Sequence, residues 1–414
     1  MDYADSDAST ILTDYPASSP SRPSSASSAP SLTATTFDGQ PKPLLPGAAT
    51  SVHFEIRDTP TAGRAVFATR DIVADTLLWR SDDLTVSSLL QEYRREVCGQ
   101  CFAYNYGRDL AIQDRTVGFA FCSEECQSTW RQENGEVGVR AWAEVKKLAK
   151  RRSKEDNEMV DIGLPRPTPE EIAQAWDATK TQADLILTFR MAELADDVQG
   201  GLQGPALSGN RRNGNGNGPI TKQHRKAVQK ALQQPVHADI MGFYVSGIIA
   251  QYQTPQRWES VLSLAVDSTP YSNADDLRAF TRTYLHLLAV LPPQLLPFTT
   301  PQSLLLLSSR DSHNAFGIRS LEDEGSELFG HGCWPAASYF NHSCGPNVTK
   351  RREGRAWEFR ASRDVGKGEQ LCITYLGGEE RDMPRETRMS TLKRNWGFEC
   401  GCQRCEEVAV ADVV

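Results

Sequence analysis

No apolar run in this sequence is long enough to cross a bilayer. The longest, around Ile240 to Ala250 and Tyr284 to Leu296, are broken by Gly, Ser, His or paired Pro well short of the roughly 20 residues a span needs. Positive charge is scarce as well: 45 Lys and Arg against 53 Asp and Glu leave a formal charge of −8, which excludes bulk attraction to nucleic acid or to an anionic membrane. Large apolar side chains are nearly missing from residues 1–49, a Ser, Pro, Ala and Thr stretch that cannot bury enough surface to offset the entropy of ordering, so it reads as a disordered tail. The opening MDYADSDAST carries acid where a secretory signal needs a basic segment and then an apolar one. The expected setting is therefore intracellular, nucleus and/or cytoplasm, with no membrane partner. No internal repeat of usable period is present.

Cysteine, by contrast, is plentiful and clustered, with ten in the chain. In a reducing compartment such spacing points to metal rather than disulfides. Cys98-x2-Cys101 and Cys122-x3-Cys126 are two close pairs about twenty residues apart, a spacing that lets a loop bring four thiolates to one tetrahedral Zn²⁺. A helix is expected to start just after Cys122, placing Cys122 and Cys126 on one face of its first turn. Cys400-x-Cys402-x2-Cys405 supplies three thiolates, one short of a closed structural shell. Of the remaining three cysteines, Cys344 lies in a polar loop, NHSCGPN, and is the better fourth ligand. Cys333 and Cys372, the latter in the apolar run LCITYL, are left as small buried thiols.

Along the chain, VHFEIRDTP, RAVFATRDI and TLLWRSD are short strand-like runs bounded by turn residues. Apolar spacing of three and four then marks helices between Trp130 and Ser309, interrupted by a Gly/Asn-rich loop at 199–219. Strands return from Asn314. There NHSCGPN follows the aromatic pair Tyr339-Phe340, WEFRASRDV leads to a Gly turn, and LCITYL carries Tyr375 near its end. Lys146, Lys147, Lys150, Arg151 and Arg152 form a basic patch best read as a solvated helix face.

NHSCGPN, GEQLCITYL and NWGFECGCQRC, in that order, resemble the catalytic half and zinc tail of SET-domain lysine methyltransferases. The finger between an early strand region and the late catalytic half is similar to the SET-and-MYND branch, and TAGRAVFATRDIVADTLL looks like that family's first cofactor-binding turn and strands. The resemblance implies an α+β fold: a SET-type β-fold of short strands with a pseudoknot-like carboxy-terminal loop, an inserted zinc finger, a helical insertion and a post-SET zinc tail. The corresponding divisions are the tail at 1–49, a first SET segment at 50–97, a reduced MYND-like finger at 98–130, the helical insertion at 131–310, a catalytic SET segment at 311–379 and the zinc tail at 380–414.

The same resemblance implies S-adenosylmethionine contacts from Gly63, Arg64, Asn314, Ser338, Phe340, Asn341, His342 and Phe398. It implies Tyr375 as the catalytic-site tyrosine, Tyr375 with Trp396 as the lysine channel, and Cys344 as the family's fourth ligand to the tail zinc. Two structural zinc ions, a protein substrate bearing a lysine, possession of no sequence-specific nucleic-acid site and a monomeric state complete the expectation. Three departures from the family pattern stand out. Ala65 occupies a usual glycine position, where it could crowd the cofactor. The finger lacks the second, interleaved zinc set. No helical carboxy-terminal domain is expected after the tail, so substrate preference does not carry over. An inactive SET-like scaffold whose finger docks partners is the alternative reading. The phenol of Tyr375, with an ordinary pKa of about 10, is not expected to act as a general base.

Overall fold

The computed structural model describes residues 45–60, 62–149, 164–200, 220–321 and 327–406, with side chains in the helix ending at Gly200 described to Glu193. Nearly all of the expected amino-terminal tail and of the Gly/Asn loop, and the basic residues 150–152, lie outside these. Residues 45–49, read from composition as the end of the tail, pack onto the domain: Ala49 is buried and the Ser263 hydroxyl donates to the Pro46 carbonyl at 3.0 Å.

The strands come first. β1 (Phe54–Thr59) and β2 (Gly63–Ala68) form a hairpin in full register, followed by β3 (Leu77–Ser81) and β4 (Val86–Leu89). A finger with the two-stranded ladder β5 (Ile112–Asp114) and β6 (Phe119–Phe121) leads into α1 (Glu124–Ala149), which is kinked at Gly135. The helical region continues with α2 (Pro169–Ala178), α3 (Lys180–Gly200), α4 (Lys222–Gln233), α5 (Ala238–Gln253), α6 (Pro255–Leu262), α7 (Ala274–Val290) and α8 (Pro301–Asn314). Strands resume as β7 (Ala315–Arg319), β8 (Leu328–Cys333), β9 (Asn341–His342), β10 (Val348–Glu353), β11 (Ala356–Ala361) and β12 (Gln370–Ile373), and α9 (Arg385–Trp396) precedes the cysteine tail.

Local chemistry explains several boundaries. Thr168 and Glu171 close a capping box at the start of α2, with Pro169 in the first turn where a missing N–H costs nothing. Asn273 accepts from the Asp275 and Asp276 amides at the start of α7. α5 is apolar nearly all round, and correspondingly most of its residues from Ala238 to Ala250 are buried, so it forms the centre of the helical region.

The sheets join what the sequence separates. Their orders are β1-β2-β12-β9, β10-β11-β3, β4-β8-β7 and the finger ladder β5-β6. Each of the three larger sheets pairs strands from before residue 90 with strands from after residue 314. The early and late strand segments are thus one β structure, with the finger and helices inserted between them. This is the mixed α/β fold of short strands expected from the sequence. Among the described residues no helix is long and apolar enough to cross a membrane.

Candidate active site

The site forms where one sheet changes partner. β12 pairs antiparallel with β2 only through Gln370↔Phe67 and Leu371↔Val66, and then pairs parallel with β9 through Cys372↔Asn341 and Ile373↔His342. The backbone of β2 from Ala65 to Gly63 therefore loses its β12 partner. The Asn341 amide fills the gap, donating to the Arg64 carbonyl at 3.0 Å and to the Ala62 carbonyl at 3.4 Å. At the open end Gly63 has φ +64°, with no atom within 4 Å of where a Cβ would sit, so the backbone there is left approachable.

Arg64 contributes backbone here, not charge. Its guanidinium is turned away, onto the Tyr339 hydroxyl at 3.2 Å, the Tyr339 ring at 4.9 Å and the Ser263 carbonyl at 2.6 Å, which ties the turn to the helical region. Ala65 is completely buried. An alanine with no accessible surface has no face left to press on a ligand, so the crowding expected from the missing glycine does not arise.

Asn314 and Ser338 meet behind this gap. The Ser338 hydroxyl donates to the Asn314 carbonyl at 3.0 Å, and the Asn314 amide donates to the carbonyls of Arg310 at 2.7 Å and Ala265 at 3.0 Å. Phe340 departs from expectation. Its ring is buried, stacked on Phe359 at 4.5 Å with 4° between planes and edge-on to Phe54 at 5.7 Å, so it is a core residue. What it presents to the site is its carbonyl, which accepts from the Tyr375 hydroxyl at 3.0 Å.

Tyr375 follows the end of β12 and packs against Trp396 at 5.3 Å, His342 at 5.4 Å and Phe398 at 6.3 Å. α9 sets these positions: Gly397, left-handed at φ 70°, ends the helix directly after Trp396 and turns the chain so that Phe398 comes back over His342 at 6.0 Å. Burial pushes the Tyr375 phenol well above its ordinary pKa, with Cys372 adding to the effect, so the hydroxyl stays protonated and donating.

His342 links this site to the cysteine tail. Its Nδ1 accepts from the Tyr375 amide at 2.9 Å, which leaves the proton on Nε2, and Nε2 lies 3.3 Å from Cys344 Sγ. Burial pushes its pKa down to about 4, so the ring is the neutral tautomer that donates to the cysteine sulfur. Asn347, at the other end of the loop, was visible in the sequence only as a turn residue. Its side chain accepts from the Cys372 amide at 2.8 Å and donates to the Gln370 carbonyl at 2.9 Å, fixing β12 beside the loop.

The eight expected cysteines fall into two sets. Cys98, Cys101, Cys122 and Cys126 form one, and Cys344, Cys400, Cys402 and Cys405 the other, with the sulfurs in each set within 4.8 Å of one another. A tetrahedral zinc with bonds of ~2.3 Å holds its sulfurs about 3.8 Å apart. Cys101–Cys122 and Cys122–Cys126 at 3.5 Å, Cys344–Cys400 at 3.9 Å and Cys344–Cys405 at 3.5 Å are close to that spacing and too long for disulfides. In each set a neighbour's hydrogen bond pulls one thiol down, Cys98 to about 5 and Cys402 to about 3, while their partners Cys101 and Cys400 are pushed up. Such crowded thiols suit a divalent cation, which takes all four as thiolates. The finger set is braced on α1, where Asp114 takes the Arg131 guanidinium and the Gln127 amide. Cys333, buried, and Cys372, half-buried, belong to neither set, as expected.

The SET domain family model matches residues 63–376. A potential protein lysine methyltransferase of Saccharomyces cerevisiae, SET6, is 25% identical over 404 residues, covering 90% of this chain and 98% of that protein. A SET and MYND domain-containing protein of Dictyostelium discoideum is 40% identical over 22% of each chain, and the human N-lysine methyltransferase SMYD2 is 33% identical over 27% of this chain and 24% of its own. The family match begins at Gly63, the open end of the turn, and stops at Leu376, one residue beyond Tyr375; the chain belongs to the SET domain family.

Proposed function

We propose that this chain is a protein-lysine N-methyltransferase that uses S-adenosylmethionine, bound at the gap between β2, β9 and β12. The observation that carries this reading is the Asn341–His342 step: one residue closes the gap onto Arg64, and the next ties the backbone of Tyr375 to the cysteine tail. The residues there fit such a ligand. Gly63 leaves open space at the turn, and the side-chain oxygen of Asn341, whose amide nitrogen is taken up by the Arg64 and Ala62 carbonyls, accepts no hydrogen bond among the described residues, so it is available to a bound amine.

S-adenosylmethionine, when bound, supplies a sulfonium methyl open to in-line displacement by an amine. What the chain supplies is position. Gly63, Arg64 and Asn341 offer backbone and amide groups to the cofactor, Asn314 and Ser338 hold the wall behind them, and Phe398 and His342 border it. Tyr375 and Trp396 flank the approach of the lysine. The Tyr375 hydroxyl, held by the Phe340 carbonyl, keeps its lone pairs for the incoming amine and orients it, since most of the rate in such a displacement comes from alignment. Because that phenol is held protonated by burial, the proton lost by the substrate ammonium goes to solvent. The substrate is a protein lysine, histone or not, and the chain acts as a monomer.

Two tests belong here. Calorimetry should detect S-adenosylmethionine binding to the wild type, and Asn341→Ala should weaken it by roughly 5- to 150-fold, the equivalent of losing a buried hydrogen bond worth about 1–3 kcal/mol. Wild-type protein that neither binds the cofactor nor labels any lysine in a proteome extract would leave only the scaffold reading. Metal analysis should give about two zinc ions per chain, one in each four-thiolate set. A value near one would empty one of them.

A further inference from the structure

Lys350 is the eighth residue after the Asn341–His342 step, on β10, and its cross-strand partner is Phe359, the ring on which Phe340 stacks. Its flanking same-face neighbours, Val348 and Arg352, are both buried, so the face from which Lys350 projects is the inner one. The ammonium lies over Phe316 at 5.2 Å and Trp357 at 5.8 Å. No carboxylate and no hydrogen-bond acceptor meets it among the described residues. That is unusual for an inward-facing lysine, which ordinarily takes an acidic partner.

Its surroundings lead to the site. Arg381, one of the two charges that act on Lys350, is held by the carbonyl of Leu376, the residue after Tyr375. The other is Arg319, at the end of β7, whose own electrostatic partner is Glu380. Lys350 in turn acts on His342, whose ring touches both Tyr375 and Phe398. The rings of Phe316 and Trp357 lie beside the amine, and its strand β10 packs against β12, the strand that leads to Tyr375.

We propose that Lys350 is itself a methyl acceptor, modified in cis by the chain's own active site. This rests on the methyltransferase reading above and deepens it by naming one substrate lysine. Burial without a carboxylate favours the neutral amine that can attack, and the ring faces accommodate the cation that methylation leaves. Burial, with Arg381 and Arg319 adding, pushes the Lys350 amine down to about 8, so near neutral pH a usable fraction carries the lone pair that attack needs. That lone pair forms the nitrogen–carbon bond to the sulfonium methyl as the carbon–sulfur bond breaks. The bonding pair stays on sulfur, S-adenosylhomocysteine leaves, and the extra proton on the methylated nitrogen passes to water.

Purified protein incubated with S-adenosylmethionine should gain a methyl group on the peptide carrying Lys350, at a rate per molecule that does not change on dilution, and Lys350→Arg should lose that signal. A second measurement needs no turnover. If the Lys350 ammonium faces the position of the sulfonium, it repels a cationic cofactor analogue with an amine in place of the sulfonium but not the neutral S-adenosylhomocysteine. Calorimetry should then show Lys350→Met raising the affinity ratio of the cationic analogue to the neutral one by about tenfold. A Lys350 peptide that stays unmodified while other proteins are labelled would overturn the proposal and leave the methyltransferase reading standing, as would a ratio unmoved by Lys350→Met. Absence of all cofactor binding and all labelling would overturn both.

Discussion

Tyr375→Phe should bind S-adenosylmethionine within about threefold of the wild type while losing roughly a hundredfold or more of methyl transfer. The separation follows from where each part of the side chain sits. The ring carries the packing against Trp396, His342 and Phe398, and phenylalanine keeps it. The hydroxyl alone reaches the Phe340 carbonyl, and it is the one part of the side chain that phenylalanine lacks. Its removal leaves the Phe340 carbonyl without its donor, a local cost of about 1–3 kcal/mol that should lower the melting temperature slightly without unfolding the site. Turnover and cofactor affinity measured on the same preparation decide the matter: if Tyr375→Phe transfers methyl at the wild-type rate, the hydroxyl does not orient the amine. Because burial holds the phenol protonated, the pH profile of the wild type should show no limb belonging to Tyr375 in the neutral range.

Cys344→Ala should remove the tail zinc and cofactor binding together, whereas Cys98→Ala should remove only the finger zinc. The contrast is a matter of what each cysteine is attached to. Cys344 stands within hydrogen-bonding reach of His342 Nε2, two residues from the step that closes the cofactor gap, and its carbonyl accepts from Arg404 in the tail at 3.0 Å. Without its sulfur the loop loses its link to Cys400 and Cys405, α9 loses its far anchor, and Trp396 and Phe398 are no longer held beside Tyr375. Cys98 is bridged to Ala120 beside the ladder β5-β6, whose attachment to α1 through Asp114 and Arg131 does not pass through the cofactor gap. Metal content and cofactor affinity of the two variants should therefore diverge. Retention of normal cofactor affinity by a Cys344→Ala protein with one zinc would show that the loop is held without the metal.

Much of this site could be read from the sequence because its chemistry is local. Zinc ligands repeat at short spacings, so both four-thiolate sets, including the distant Cys344, could be assigned from counting ligands and from loop polarity. Tyr375 and the asparagine loop were legible through their order along the chain. What could not be read were juxtapositions across hundreds of residues. The switch of β12 from β2 to β9 has no periodic signature. The roles of Asn347 and of the His342 tautomer depend on which backbone groups the fold sets beside them. Phe340 was assigned to the site by the family resemblance, but its ring goes to the core and its carbonyl is what reaches Tyr375. Lys350 carried no signal, since a lysine in a run of basic residues on a strand ordinarily points to water. Ala65 looked like a defect in the sequence and is buried in the structure.

The pairing of Val66 with Leu371 has a consequence for how the molecule is made. Synthesis proceeds from the amino terminus, so β1 and β2 leave the ribosome long before β12, with the finger and every helix up to α8 emerging between them. Until then the far edge of β2 is a row of unpaired amides and carbonyls, the kind of edge that recruits other strands. Closing it requires a loop of about three hundred residues to come together, a contact whose sequence distance slows folding and lengthens exposure. The nascent chain thus carries an open sheet edge through most of its translation. Ribosome-bound intermediates stalled before residue 370 should depend on chaperones in a way that the finished protein does not.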